Sequence, residues 1–196
     1  MNIKKYLEDF EQNFDGDRSI IINYLGNRLD CYTDRELPFR YEFIYFEEIY
    51  VQIYKDIKKR KLPFKKITDI GCQLGVQSEL FKNEFEYTGI ESEKTNFFNI
   101  DDPKCKFLNA TFPFVKINWE DNIIISCMSL GYFNNRFSME EEQAYKWIVE
   151  KLKRAKYLYI ASDKKLISML LKYFNVEHLD KEPATDIFNN LYFMWR

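Results

Sequence analysis

The sequence contains little glycine, proline or histidine, and it has no long hydrophobic run. Six glycines and five prolines in 196 residues exclude collagen-like and linker-rich chains. The four cysteines lie far apart without a C-x-x-C pair, and the only histidine is His178, so no metal site is expected. No stretch approaches the roughly 18 apolar residues of a membrane helix. The residues after Met1 include lysines but no apolar h-region, so a secretory signal is not expected. These absences predict a cytoplasmic protein with reduced thiols and no membrane partner.

An excess of positive charge is also lacking. Lysine and arginine total 29 and aspartate and glutamate total 31, which gives a net charge of −2. This near balance argues against a general nucleic-acid binder, which needs a positive field to attract phosphate. Hydrophobic residues make up 46% of the chain and aromatic residues 18%, so the composition is that of a globular protein with ample core material.

The pattern of the chain changes near residue 65. Residues 1–64 predict a helical amino-terminal extension, and residues 65–196 predict an alternation of strands and helices, within one structural domain. Before the change, apolar residues recur at helical spacing at Phe43, Phe46, Tyr50, Ile53 and Ile57. The basic run at 58–61 follows this stripe, and we interpret it as the solvated end of the helix.

After residue 65, the pattern predicts seven strands. They are expected at residues 67–70, 87–91, 106–109, 123–128, 157–161, 176–179 and 191–195. Helices are expected at 75–84, after a capping box formed by Ser138 and Glu141, and after a cap at Asp163. The fold class is therefore α/β: a mostly parallel, doubly wound seven-stranded sheet with an antiparallel last strand. The last two strands have no room for a crossover helix and predict a hairpin at one edge.

Ligands of such sheets bind beyond the carboxyl ends of the strands, so the first strand–loop–helix is the candidate site. It reads Asp69-Ile70-Gly71-Cys72-Gln73-Leu74-Gly75, and Glu91 closes the second strand. Glu91 follows Gly71 by 20 residues, and an acid at that spacing can accept hydrogen bonds from both hydroxyls of an adenosine ribose. The dinucleotide motif G-x-G-x-x-G matches at one glycine of three, which leaves a dinucleotide or nucleotide-sugar binder as a weaker alternative, and no Walker loop occurs.

The loop at 69–75, together with Tyr87-Thr88-Gly89-Ile90-Glu91, resembles the class I S-adenosylmethionine-dependent methyltransferases. Three further segments over residues 66–196 resemble the same family: 107–110, 122–130 and the closing pair of strands. The resemblance implies a Rossmann-like fold, S-adenosylmethionine as the cofactor, and methyl transfer to an acceptor that the sequence does not name.

The resemblance also implies which residues form the site. Cofactor-binding positions are Asp69, Gly71, Cys72, Gln73, Gly75, Glu91, Ser92, Asn109, Ala110 and Cys127. Candidate acceptor-binding positions are Tyr132, Phe133, Tyr32 and Arg40. The last two belong to the extension at 1–64, which by the resemblance either forms a lid that sets acceptor specificity or only covers the sheet. No catalytic residue is singled out. Asp69 is further expected to tie neighbouring backbone N–H groups together. Cys72 and Cys127 are expected to pack as small apolar residues rather than to act as nucleophiles.

One position departs from the family. Its first motif has a central glycine where this chain has Gln73. The glutamine can point to solvent, hydrogen-bond the amino-acid part of the cofactor, or fill the pocket. The last case leads to the alternative function, a catalytically degenerate methyltransferase-fold protein that serves as a binding or regulatory module.

The acceptor is constrained only by exclusion. Enzymes that methylate amino groups of nucleic-acid bases carry [DNS]-P-P-[YF] after the fourth strand, whereas this chain has Ser129-Leu130-Gly131-Tyr132. Sequence-specific DNA amino-methylation is therefore disfavoured, and a small-molecule acceptor is slightly favoured. The oligomeric state stays open.

Overall fold

The computed structural model describes residues 49–73, 75, 77–92, 101–119, 121–127, 129–130, 140–179 and 191–196. The helices described are α1 (Val51–Arg60), α2 (Ser78–Phe81), α3 (Glu141–Leu152) and α4 (Lys164–Leu170). The strands are β1 (Lys66–Ile70), β2 (Glu86–Glu91), β3 (Cys105–Asn109), β4 (Asn122–Cys127), β5 (Tyr157–Ala161), β6 (Asn175–His178) and β7 (Leu191–Trp195). The predicted helical segments before residue 49 lie outside the described residues.

The seven strands form one sheet in the order β3-β2-β1-β4-β5-β7-β6. The pairs from β3 to β5 are all parallel, and β7 runs antiparallel to both β5 and β6. The predicted Rossmann-like sheet is confirmed, including the hairpin at one edge, and each predicted strand end lies within one residue of the observed end. The strand order reverses between β1 and β4, which places the switch point beside the loop that follows β1.

Helices cover both faces of the sheet, and the central strands β1, β4 and β5 are accordingly buried on both faces. One core cluster joins α1 and α2 to the face that carries Ile67 and Ile123. The other joins α3 and α4 to the face that carries Ile124 and Leu158. None of the helices in the described part of the chain is long and apolar enough to cross a membrane.

Helix α1 buries the carboxyl-terminal half of the predicted apolar stripe. Tyr50, Ile53 and Ile57 are buried, whereas Phe43 and Phe46 lie outside the described residues. The helix ends at Arg60 because Lys61 adopts a left-handed conformation with φ 53°. Its last turn carries three cations, which favour the negative end of the helix dipole, so the interpretation of this run as a helix end is confirmed.

Two predicted helix starts are wrong. The helix expected at 75–84 is the single turn α2, because Gly75 has φ +73° and cannot be part of an α-helix, and β2 already begins at Glu86. The capping box predicted Ser138 as N-cap of α3, but the N-cap is Glu140, whose backbone is extended (φ −60°, ψ 132°). The predicted cap at Asp163 is confirmed, since its carboxylate accepts from the N–H groups of Lys165 and Leu166, each at 3.0 Å.

Candidate functional site

The loop after β1 is fixed to the end of β2 by backbone hydrogen bonds. The N–H groups of Gly71 and Cys72 both donate to the carbonyl oxygen of Ile90, at 2.7 and 3.1 Å. Gly71 has φ +77°, and a Cβ added there would lie 2.0 Å from the Cβ of Ser129. Glycine is therefore required at this position both by backbone conformation and by the close approach of the segment after β4.

Gly75 closes the loop and leads into α2. It also has a positive φ, +73°, and an added Cβ would lie 2.3 Å from the Cε1 atom of Phe107 in β3. Its carbonyl oxygen accepts from both the N–H and the hydroxyl of Ser78, at 3.0 and 2.6 Å. These contacts hold the exit of the loop against the neighbouring strands.

Glu91 points at this loop. Its Oε2 atom accepts the backbone N–H of Gln73 at 3.0 Å, and its Oε1 atom accepts the N–H and the hydroxyl of Ser92 at 2.7 and 3.1 Å. The side chain is only partly exposed. The structure therefore brings together the carboxylate and the loop that the sequence had placed at one edge of the sheet.

The side chain of Gln73 is exposed, and its backbone is left-handed with φ +50°. A non-glycine residue in this region costs roughly 1 kcal/mol. The glycine of the family motif would hold the same conformation without that cost. Of the three sequence-based interpretations, the exposure agrees with a side chain that points away from the loop interior.

Asp69 lies beneath the loop and is completely buried. Its oxygens accept from three side chains, Gln77 and Tyr87 at 2.6 Å each and Tyr50 at 3.2 Å. The expectation that this carboxylate ties backbone N–H groups together is wrong, because the donors are one amide and two phenols. Gln77 also donates to the carbonyl oxygen of Cys72 at 3.0 Å, so it links the buried carboxylate to the loop.

Burial raises the pKa of Asp69 to about 6, although the three hydrogen bonds favour its charged form. Sequence reasoning missed Gln77, Tyr50 and Tyr87. One signal for Tyr87 was available in the sequence. A central parallel strand is covered on both faces, so an acid in its middle is buried and needs a hydrogen-bond donor on the same face of the neighbouring strand.

The other predicted cofactor-binding residues lie at the same edge. Asn109 pairs in register with Glu91, and the N–H of Ala110 donates to the carbonyl oxygen of Glu91 at 2.9 Å. Cys72 and Cys127 are 1% and 7% exposed, which confirms the prediction that they pack as buried residues. Burial and the nearby Asp69 raise the pKa of the Cys127 thiol well above its usual range, so it is protonated and a poor nucleophile.

A pair of serines joins the ends of β1 and β4, which the sequence did not predict. The hydroxyls of Ser126 and Ser129 lie 2.8 Å apart, and that of Ser129 donates to the carbonyl oxygen of Ile70 at 2.7 Å. The predicted acceptor-binding residues lie outside the described part of the chain: Tyr132, Phe133, Tyr32 and Arg40.

Comparison with solved structures identifies the class to which the fold belongs. N-methyltransferase NodS from Bradyrhizobium japonicum WM9, in complex with S-adenosyl-L-homocysteine, superposes with a TM-score of 0.59 and 13% identity, over 86% of this chain and 95% of that one. DesVI from Streptomyces venezuelae gives a TM-score of 0.57 and 11% identity, over 92% and 99%. The methyltransferase domain of bacterial CtHen1 gives 0.55 and 11%, over 75% and 97%.

The chain therefore has the fold of the class I S-adenosylmethionine-dependent methyltransferases. The identities of 11–13% make this a statement about the fold. No family model matches the sequence, and no curated protein matches it significantly.

Proposed function

We propose that the chain binds S-adenosylmethionine at the carboxyl ends of β1 and β2 and transfers its methyl group to an acceptor. The observation that carries the proposal is the hydrogen bond from the Gln73 N–H to the Glu91 carboxylate at 3.0 Å. It places an acid beside a loop whose two glycines have positive φ, at the switch point of a methyltransferase fold. A ribose and an amino-acid moiety need such an edge, with one carboxylate and exposed backbone N–H groups.

In this proposal Glu91 accepts hydrogen bonds from the ribose hydroxyls. Gln73 and Ser92 hold its carboxylate in place through their backbone N–H groups. The hydroxyl of Ser92 is the partner that can rotate away when the ribose arrives, because its bond at 3.1 Å is the longest of the three. Asn109, which pairs in register with Glu91, would bind the adenine in this proposal.

The cofactor, when bound, supplies an electrophilic methyl group on a sulfonium. The chain has to hold the acceptor in line with it, and such positioning can contribute roughly 7–11 kcal/mol to lowering the barrier. No general base is required for an acceptor that has no proton to lose. The protonated thiol of Cys127 near this edge does not compete as a nucleophile.

Equilibrium titration of the purified chain with S-adenosylmethionine and with S-adenosylhomocysteine tests the proposal. We expect the wild type to bind both. We expect Glu91→Ala to weaken binding by at least about 10-fold, because the loss of even one hydrogen bond to a charged group costs about 1.5–3 kcal/mol.

Glu86→Ala is the matched control, since Glu86 is an exposed acid at the other end of the same strand. Its affinity should equal that of the wild type. Absence of binding by the wild type at near-millimolar cofactor would contradict the proposal, and equal affinity for the Glu91 variant would remove this residue from the ribose site.

The second candidate is a degenerate methyltransferase-fold protein that acts as a binding module. The observation that favours it is the left-handed Gln73, a glutamine that bears the strain which the family glycine avoids. Restored cofactor binding in Gln73→Gly, with none in the wild type, would support this candidate over the enzyme. Measurable wild-type affinity that the substitution leaves unchanged would contradict it.

A further inference from the structure

A groove of about 620 Å³ opens on the α3 side of the molecule, away from the loop after β1. Parallel strands are usually joined by a crossover helix. Between β3 and β4, however, the described residues 110–119 form no helix. The chain instead runs along the sheet as an irregular segment, and the space between this segment and α3 is the groove.

Two aromatic side chains stand at the rim of the groove. Phe114 is 61% exposed and Trp147 is 42% exposed, and their rings meet edge to face with centroids 5.9 Å apart. Phe112 and Trp119 of the same segment are buried, whereas Phe114 contacts α3 through Trp147 and leaves most of its surface in water.

The groove also carries three exposed cations, Lys116, Lys151 and Arg154. Within the described part of the chain, no carboxylate lies in ion-pair distance of any of them. Among the lining residues that the structure describes, the acid is Glu150, which pairs with Lys153 at 2.8 Å, outside the groove. The described lining therefore carries a positive charge that its carboxylate does not compensate.

Further cations lie beyond the groove, at the amino-terminal edge of the sheet. Lys156 precedes β5, and Arg196 follows β7 and donates its backbone N–H to the carbonyl oxygen of Lys156. The exposed acid Asp121 precedes β4, the strand beside β5, so this edge is mixed in charge and the uncompensated charge is that of the three cations in the groove. The net charge of −2 is an average over the whole chain and does not describe the field at the groove.

We propose that this groove binds single-stranded nucleic acid. Exposed aromatic rings offer stacking faces to successive bases, and a row of cations follows the phosphate backbone. The combination favours a strand of bases and phosphates over an acidic peptide, which would use the cations but has no need of the exposed ring faces. The site lies apart from the edge of β1 and β2, so this proposal does not depend on cofactor binding.

Fluorescence anisotropy with a labelled oligo(U) of about 12 nucleotides tests the inference, without cofactor. We expect binding that weakens steeply between about 50 mM and about 200 mM salt. Trp147→Ala should weaken it about 5- to 100-fold, and Trp147→Phe, which keeps a ring, should retain most of the affinity. Lys151→Ala and Arg154→Ala should each lower the slope of log affinity against log salt by about 0.7.

Lys146→Ala is the matched control, because Lys146 lies on the same helix but pairs with Glu142 outside the groove. It should bind like the wild type. Absence of oligonucleotide binding would overturn the proposal. So would equal loss in the Lys146 variant, or tighter binding of a glutamate-rich peptide or of anionic vesicles than of the oligonucleotide. Thermal unfolding of each variant separates lost binding from lost folding.

Discussion

The buried carboxylate of Asp69 should make the stability of the fold depend on pH in an unusual direction. Burial raises its pKa from 3.8 to about 6, so the folded protein holds this proton more tightly than the unfolded chain. The contribution to stability is then fully present below about pH 4 and is lost as the pH rises through about 6. Between about pH 4.5 and about pH 7 the linkage relation gives a loss of about 2 kcal/mol.

Asp69→Asn removes this titration while it preserves the shape of the side chain. Urea unfolding of both proteins at about pH 4.5 and about pH 7 measures the difference. From about pH 4.5 to about pH 7, we expect the unfolding free energy of the wild type to fall by about 2 kcal/mol relative to that of Asp69→Asn. Carboxylates with lowered pKa values, such as Glu84 and Asp102, act in the opposite sense, but they are present in both proteins and cancel in the difference.

A second variant tests the same reasoning in the other direction. Tyr87→Phe removes a 2.6 Å hydrogen bond that favours the charged form of Asp69. It should lower the unfolding free energy at about pH 7 by about 1.5–3 kcal/mol and move the loss of stability to higher pH. The reasoning is refuted if wild type and Asp69→Asn change in parallel over this pH range, or if Tyr87→Phe shifts the profile to lower pH.

Three further predictions concern the loop and a helix cap. Gly75→Ala should destabilise the fold by more than about 1 kcal/mol. In the double variant with Phe107→Ala, the clash with the ring is relieved but the positive φ remains, so thermal unfolding should show partial recovery of stability. Full recovery would contradict the role of the positive φ. Gln73→Gly should stabilise the fold by about 0.5–1 kcal/mol, and a loss of stability in denaturant titration would show that φ +50° carries no strain. Asp163→Ala should cost about 0.5–2 kcal/mol because two N–H groups lose their acceptor, whereas Asp163→Asn should retain most of the cap, and equal losses for the two variants would contradict this role.

The strands were predictable because their signal is local. Ile123, Ile124 and Ile125 form a continuous apolar run, which predicts a central strand covered on both faces, and all three are fully buried in β4. The hairpin followed from the chain length between the last two strands. The helix starts were less predictable, because Ser138 and Glu141 form a valid capping box, yet the helix takes its N-cap at Glu140.

The candidate site could be located from sequence, but its support could not. The spacing of Gly71 and Glu91 placed a loop and an acid at one edge, and the structure brings them together. The hydrogen bonds of Asp69 depend instead on the N-cap residues of α1 and α2 and on one residue of β2, namely Tyr50, Gln77 and Tyr87, which are separated by up to 37 residues in the chain. Such contacts are set by packing between layers, which has no signature in local periodicity.

The double hydrogen bond from Gly71 and Cys72 to the carbonyl oxygen of Ile90 couples the loop to the residue just before Glu91. The loop and the acid are therefore tied to each other, and a displacement of either would break or strain these hydrogen bonds. For protein engineering, this means that residues 71–75 form a transferable unit only together with residues 89–92. A graft of the loop alone would leave the backbone amides of Gly71, Cys72 and Gln73 without their acceptors.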